Sequence, residues 1–273
     1  MNFQNPDVKA IAEKKLYIFD MDGTIYLGNR VFPFAIRFIK NLRAAGKKVL
    51  FFTNNASHND DFYVEKLTRL GFEPTRDEIM TSGDVTAEFL KRHRAGKTVY
   101  LVGTDELVAD FTEKGIPLLK GDEASADIVI TSFDTSLTYE KLNSACRFVR
   151  NGSEYLSTHP DFNCPVEDGF IPDSGAIAAF VTASTGKTPV HFGKPSAKTV
   201  EMICEATGFG CEEMCIFGDR LYTDIALGKR FGVTAALVLS GETTEADVEA
   251  AAEADKPDFV FDSLADVDRV MFG

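Results

Sequence analysis

The sequence predicts an α/β fold built on a parallel sheet whose two faces are covered by helices. Short apolar runs recur along the chain without alternation, as in Leu16-Tyr17-Ile18-Phe19 and Val49-Leu50-Phe51-Phe52. Strands buried on both faces read as such continuous runs, whereas half-exposed strands alternate. Each run leads into a polar or glycine turn and then a segment of helical period. The 273 residues, 44% hydrophobic and 26% charged, match ordinary globular usage and suffice for one large domain or two modest ones.

In order, the first strand is 16–19, followed by a helix over 33–45 that Gly46 closes, a strand over 48–52, and a helix over 59–70 stopped by Gly71. The middle of the chain, about 82–184, carries its own set: helix 84–94, strand 99–102, helix 105–114, strand 128–130, helix 138–150 and strand 155–157. The closing set is helix 196–207, strand 214–217, helix 223–229, strand 233–239 and a short strand at 259–261. With no repeat or long linker present, the placement of the motifs divides the chain into 1–81 plus 185–273, and 82–184.

With 29 basic and 42 acidic residues the net charge is −13. Such a field repels a phosphate backbone and an anionic membrane surface, so neither nucleic acid nor membrane is an expected partner. It also repels a small anion unless a local positive site overrides it. No apolar run reaches the ~18 residues that span a bilayer. Met1–Ala10 is polar and carries no segment resembling a secretory signal. The five cysteines (Cys146, Cys164, Cys204, Cys211, Cys215) lack C-x-x-C spacing, which fits free thiols in a reducing cytoplasm.

Four constellations carry chemistry. Asp20-Met21-Asp22-Gly23-Thr24 follows the first strand, and the i, i+2 spacing starts both carboxylates on one side of the chain. They fall at the carboxyl end of a parallel strand, where open α/β sheets place ligands. Two like charges so close call for a divalent cation or a bound proton, although an Asp-Gly turn can serve as a cap alone. Thr53-Asn54-Asn55 follows the next strand; a hydroxyl, two amides and a helix amino end suit an anion, or simply cap the helix. Gly193-Lys194-Pro195-Ser196 holds a lysine before a helix start, either as a neutralising cation or as a surface residue. Gly218-Asp219 follows the strand at 214–217, with Asp224 in the first turn of the next helix. Asp219 suits Mg²⁺, which favours a few carboxylates together with phosphate oxygens.

These four motifs, in this order, resemble those of the haloacid dehalogenase-like superfamily of aspartyl-phosphate phosphohydrolases. Within it the chain resembles the NagD-like branch of nitrophenyl phosphatases and nucleotide monophosphatases, over essentially its whole length. The resemblance implies a Rossmann-like doubly wound core, 1–81 and 185–273, with a smaller α/β cap inserted at 82–184 that governs substrate specificity. It implies hydrolysis of small phosphorylated metabolites (sugar phosphates, nucleoside monophosphates, nitrophenyl phosphate) with Mg²⁺ as cofactor. Asp20 would be the nucleophile and Asp22 the general acid–base. Gly23, Thr53, Asn54, Asn55 and Lys194 would bind phosphate, and Lys194 would balance charge. Asp20, Asp219 and the Asp22 backbone carbonyl would ligate the metal, with Asp224 supporting it.

The segments Thr158-His159-Pro160-Asp161 and Gly169–Ala176 resemble the branch's substrate-facing cap loops, which points to Asp161 and His159 as substrate contacts. His159 stands where Asn is frequent in that branch, and Asp173 where a small residue is. The resemblance also allows a homodimer. A phosphomutase of the same superfamily carries its cap soon after the first motif, and the 33 positions from Asp20 to Thr53 are too few for one. A phosphate-accepting regulatory module has no use for a cap and is about half this length.

Overall fold

The computed structural model describes residues 8–166 and 169–273. The first seven residues, part of the amino-terminal stretch read above, lie outside the described residues. In chain order the strands are β1 (Leu16–Phe19), the short pair β2 (Tyr26–Leu27) and β3 (Arg30–Val31), β4 (Lys48–Thr53), β5 (Ile79–Thr81), β6 (Val99–Val102), β7 (Ile128–Thr131), β8 (Glu154–Ser157), β9 (Asn163–Val166), β10 (Gly169–Pro172), β11 (Val190–His191), β12 (Met214–Gly218), β13 (Thr234–Val238) and β14 (Phe259–Phe261). The helices are α1 (Lys9–Ala12), α2 (Pro33–Ala44), α3 (Asp60–Arg69), α4 (Ser82–His93), α5 (Asp105–Glu113), α6 (Tyr139–Arg150), α7 (Ser174–Thr185), α8 (Ala197–Thr207), α9 (Ala226–Phe231), α10 (Glu245–Ala250) and α11 (Leu264–Phe272). None is long and apolar enough to cross a membrane.

Contacts group the chain into two units, one of Met1–Thr53, Val64–Met80 and Ile203–Gly273, the other of Asn54–Tyr63 and Thr81–Met202. The first unit carries a six-stranded sheet in the order β14-β13-β12-β1-β4-β5. β1 is buried at all four positions and pairs in parallel with β12 on one side and β4 on the other. The chain leaves β1 toward β4 and returns much later as β12, so β1 is where the strand order reverses. Ligands of open α/β sheets bind outside the carboxyl ends of the strands at that point. α2 starts with Pro33 at its first turn and buries Ala35, Phe38, Ile39 and Leu42, one stripe at helical spacing. Phe38 meets Phe19 and Phe217 edge-on, and those two rings stack with centroids 5.3 Å apart.

The second unit has a four-stranded sheet, β11-β8-β7-β6, in which every pair is parallel. Its core joins Val102 and Val129 to Ala145, Phe148, Ile177 and Val181 from α6 and α7. β9 and β10 form an antiparallel pair.

The expected α/β class with a parallel sheet holds, and three local expectations are corrected. Gly169–Ala176, read as one loop, is instead β10 followed by the start of α7. Nothing marked it, because β10 keeps Phe170 exposed and α7 opens on small residues. The helix expected at 223–229 begins as a π-helical turn over Leu221–Ile225 and becomes α-helical only at Ala226. β11, within the 185–273 part of the division read from the motifs, belongs instead to the four-stranded sheet of the second unit.

Phe217 is fully buried between Phe19, Tyr17 and Phe38. Phe217→Ala is expected to destabilise the fold by about 3–5 kcal/mol in urea unfolding. At the surface of the second unit, Asp127 accepts the backbone N–H of Thr98 at 2.8 Å and its hydroxyl at 2.9 Å, and pairs with Lys97 at 3.1 Å. The Thr98 backbone N–H foremost, then Lys97 and the Thr98 hydroxyl, hold the Asp127 carboxyl at about 2, below the usual 3.8. The lowered value means that its contribution is complete above 3.8 and lost as pH falls through about 2. Asp127→Asn should remove that part of the acid-induced stability loss, measured by unfolding at a series of pH values.

Candidate active site

Asp20 directly follows β1, and its N–H extends the ladder by donating to the Phe217 carbonyl at 2.8 Å. The chain then turns sharply: the Met21 carbonyl accepts from Ile25 at 3.0 Å, and Gly23 N–H donates to Tyr26 at 2.7 Å. Gly23 sits at φ +83°, and a Cβ there would lie 2.3 Å from Asp219 Oδ2. Only glycine satisfies both the left-handed backbone and the close approach.

β12 delivers Asp219, 2% exposed, and the π-helical turn after it delivers Asp224, fully buried. Carboxylate oxygens of Asp20, Asp219 and Asp224 lie within 4.8 Å of one another. A Cβ on Gly241 would come within 2.0 Å of Asp219 Oδ2, and one on Gly218 within 2.2 Å of the Asp224 carboxyl carbon. An all-oxygen, triply acidic set in a cradle cleared by glycines fits a hard divalent cation. Asp224, expected only to support the metal, stands within the same range as the other two.

Asp22 takes a different environment. Its residue keeps exposed surface, yet protein crowds the carboxyl enough that burial is the largest influence and raises its pKa. Lys66, the Gly28 N–H and Arg220 pull the other way without prevailing. Lys66, on α3, sits over the Tyr26 ring 4.1 Å from its centroid, and burial lowers its own pKa against the attraction of Asp22. Burial opposes the Arg220 charge as well, but Asp20, Tyr222, Asp219 and Glu242 hold that guanidinium above its ordinary value.

A loop absent from the sequence reading completes this cluster. After β13, Ser240 Oγ donates to the Gly23 carbonyl at 2.8 Å, Glu242 N–H to Asp219 Oδ2 at 2.7 Å, and Thr243 N–H to the Asp219 carbonyl at 3.2 Å. The Glu242 carboxylate pairs with Arg220 at 3.0 Å and accepts from the Tyr222 hydroxyl at 2.9 Å. Residues 240–243 thus tie the Gly23 turn to Asp219. The signal was present, since Leu239-Ser240-Gly241-Glu242 repeats the pattern of apolar run, small residue and acid seen at the other strand ends.

In the second unit, Asn54 holds the backbone of Lys194 from both sides. Its Oδ1 accepts the Lys194 N–H at 2.7 Å, and its Nδ2 donates to the Lys194 carbonyl and to Asp161 Oδ2, each at 3.0 Å. Lys194 is 2% exposed, contrary to a surface lysine. The Asn55 side-chain Oδ1 is spent on Ser57, accepting its N–H at 2.9 Å and its hydroxyl at 2.6 Å. Thr53, ending β4, is partly exposed.

His159 requires a correction. It is fully buried, with Nε2 2.8 Å from Asp173 Oδ1, and Nδ1 3.0 Å from Thr158 Oγ1 and 3.2 Å from Ser82 Oγ. The same Asp173 oxygen accepts the Ser174 N–H at 2.6 Å and caps α7. With both ring nitrogens engaged, His159 anchors its loop to α7 rather than presenting its ring to a substrate. The two departures noted in the sequence, His159 and Asp173, are therefore partners. Asp161 is partly exposed, and its carboxylate, bonded to Asn54, lies within 4.8 Å of His159 and Asp173.

A pattern for haloacid dehalogenase-like hydrolases matches residues 17–117, and one described as HAD-hydrolase-like matches 191–267. An acid sugar phosphatase of Staphylococcus saprophyticus is 35% identical over 93% of this chain and 96% of its own length. The chain belongs to the haloacid dehalogenase-like hydrolase family. Among solved structures, a 4-nitrophenylphosphatase from Thermotoga maritima is similar with a TM-score of 0.89 at 41% identity, covering 96% of this chain and 99% of the other. NagD from Escherichia coli K-12 is similar at 0.85 with 28% identity, over 92% and 97% of the two chains. This member of the family is a phosphatase, as these catalytic relatives are by name.

Gly241→Ala should displace Asp219 and weaken divalent-cation binding by about tenfold or more, the range seen when groups supporting metal ligands are lost. The rise in Tm expected on adding a divalent cation should shrink accordingly, while the metal-free protein stays folded.

Proposed function

We propose that this chain is a Mg²⁺-dependent phosphohydrolase that cleaves small phosphomonoesters through an aspartyl-phosphate. The observation that carries the reading is the convergence of Asp20, Asp219 and Asp224 beside the strand that the family's nucleophile motif follows. A Mg²⁺ ion held by these carboxylates and the Asp22 carbonyl would neutralise charge on the phosphoryl oxygens. Asp20 attacks phosphorus in line as the bond to the leaving oxygen breaks, and the Asp22 carboxylic acid gives that oxygen its proton. The raised pKa of Asp22 favours the acid form this step needs. Asp22 then takes a proton from water as the water oxygen attacks phosphorus, releasing phosphate and regenerating Asp20.

Gly23, Thr53, Asn54 and Asn55 contribute donors to the phosphoryl oxygens, and the Lys194 ammonium balances their charge. With its amide committed to Lys194, Asn54 acts through its backbone N–H and by setting that lysine's position. The segment 82–184 acts as the cap, with Asp161 accepting hydroxyls of the leaving group. The names of the relatives favour sugar phosphates, with nitrophenyl phosphate as an aryl surrogate. The cytoplasm is the proposed compartment, in keeping with five free cysteines.

A phosphate-release screen over sugar phosphates, nucleoside monophosphates and nitrophenyl phosphate, with and without Mg²⁺, tests this reading. Asp20→Asn should lose about 10³-fold or more, and activity surviving both that change and chelation overturns the mechanism. Asp22→Ala should lose about 10²–10⁴-fold in kcat while still binding a phosphoryl analogue. Asp161→Ala should reorder the preferred substrates rather than abolish turnover.

A further inference from the structure

The family's chemistry leaves one pair of side chains unused. Cys204, in the last turns of α8, and Cys211, opening the 3₁₀ turn Cys211–Glu213 that leads into β12, bring their sulfurs to 3.8 Å. Both are free and partly exposed, whereas Cys146 and Cys215 are buried. The connecting residues include Gly208 and Gly210, and such a segment has the backbone freedom to close the sulfurs to the ~2.05 Å of a disulfide. Two thiols packed in the interior would be explained by their behaviour as small apolar groups. Two that face each other where solvent reaches both are not.

We propose that Cys204 and Cys211 form a thiol-oxidation site, closing reversibly to an intrachain disulfide in the folded protein. With a hydroperoxide as oxidant, one thiolate attacks the peroxide, the O–O bond breaks, and a sulfenic acid and hydroxide form. The second thiolate attacks the sulfenic sulfur, the S–S bond forms, and the S–O bond breaks with loss of hydroxide. In sum, two thiols and one hydrogen peroxide give one disulfide and two waters, and a dithiol reductant reverses the change. Burial, then the neighbouring Cys211, pushes the Cys204 thiol up to about 11, so thiolate is scarce at neutral pH and closure is slow.

The pair sits at the amino end of β12, while Asp219 follows its carboxyl end at Gly218. Five residues of strand, roughly 16 Å, separate the two. The bond therefore acts on stability, by restricting the unfolded chain, and leaves phosphate release unchanged.

Treating the full folded chain with hydrogen peroxide and measuring intact mass tests the site. The expected product is a monomer lighter by about 2 Da, with five titratable thiols reduced to three and a peptide map linking residues 204 and 211. Its Tm should exceed that of the reduced form by a few degrees, and dithiothreitol should restore both. Cys204→Ser and Cys211→Ser should each block the mass loss, and Cys164→Ser should not, with Tm confirming that each variant is folded. A mass gain without cross-link, a cross-linked dimer, or closure only after denaturant overturns the proposal. Loss of activity on closure overturns its assignment to stability alone.

Discussion

Three carboxylates gathered at one point of a sheet form the constraint to which the first unit is fitted. At separations under 4.8 Å, each pair of negative charges repels by a few kcal/mol at an effective dielectric constant near 20. No local element tolerates this unaided. The parallel sheet supplies the rigidity, because β1 and β12 are adjacent, paired along four residues and buried on both sides. Asp20 and the start of the Asp219 turn therefore cannot drift apart without breaking the ladder.

Relief comes from positive charge and from backbone dipoles. Arg220 lies among Asp20, Asp219 and Glu242, and the N–H of Glu242 is aimed at Asp219. The loop 240–243 does two things at once: its backbone holds Asp219, and its Glu242 side chain holds the arginine that offsets the acids. Glycine at 23 and 241 is what lets three chain segments close on one carboxylate. The net charge of −13 thus says little about anion binding. The local arrangement of acids and their counter-charges decides that, while the global field bears on large polyanions.

The second unit shows the same economy with neutral groups. One amide, Asn54, reads both backbone groups of Lys194 and reaches Asp161, so the position of a lysine depends on a residue 140 positions earlier. His159 and Asp173 are a second such coupling: the ring anchors the loop while the carboxylate caps α7. Both replace backbone regularity with side-chain bonds where the chain is irregular, as buried polar groups require.

Read alone, the sequence determined what depends on local pattern. Continuous apolar runs marked the strands β1, β4, β6, β7, β8, β12 and β13, and the acids, amide and hydroxyl just after three of them put forward Asp20, Thr53, Asn54 and Asp219 as candidates for the chemistry. These were legible because strand burial and turn chemistry are written within a few residues of each other. The pairings between distant segments were decided only by tertiary structure. Asp224 joining the acidic set, Ser240–Thr243 clasping Asp219 and His159 turning inward to Asp173 each join segments that no periodicity relates. Hydrogen bonds and ion pairs act over about 3–4 Å of space, and only the folded chain brings such groups within that reach.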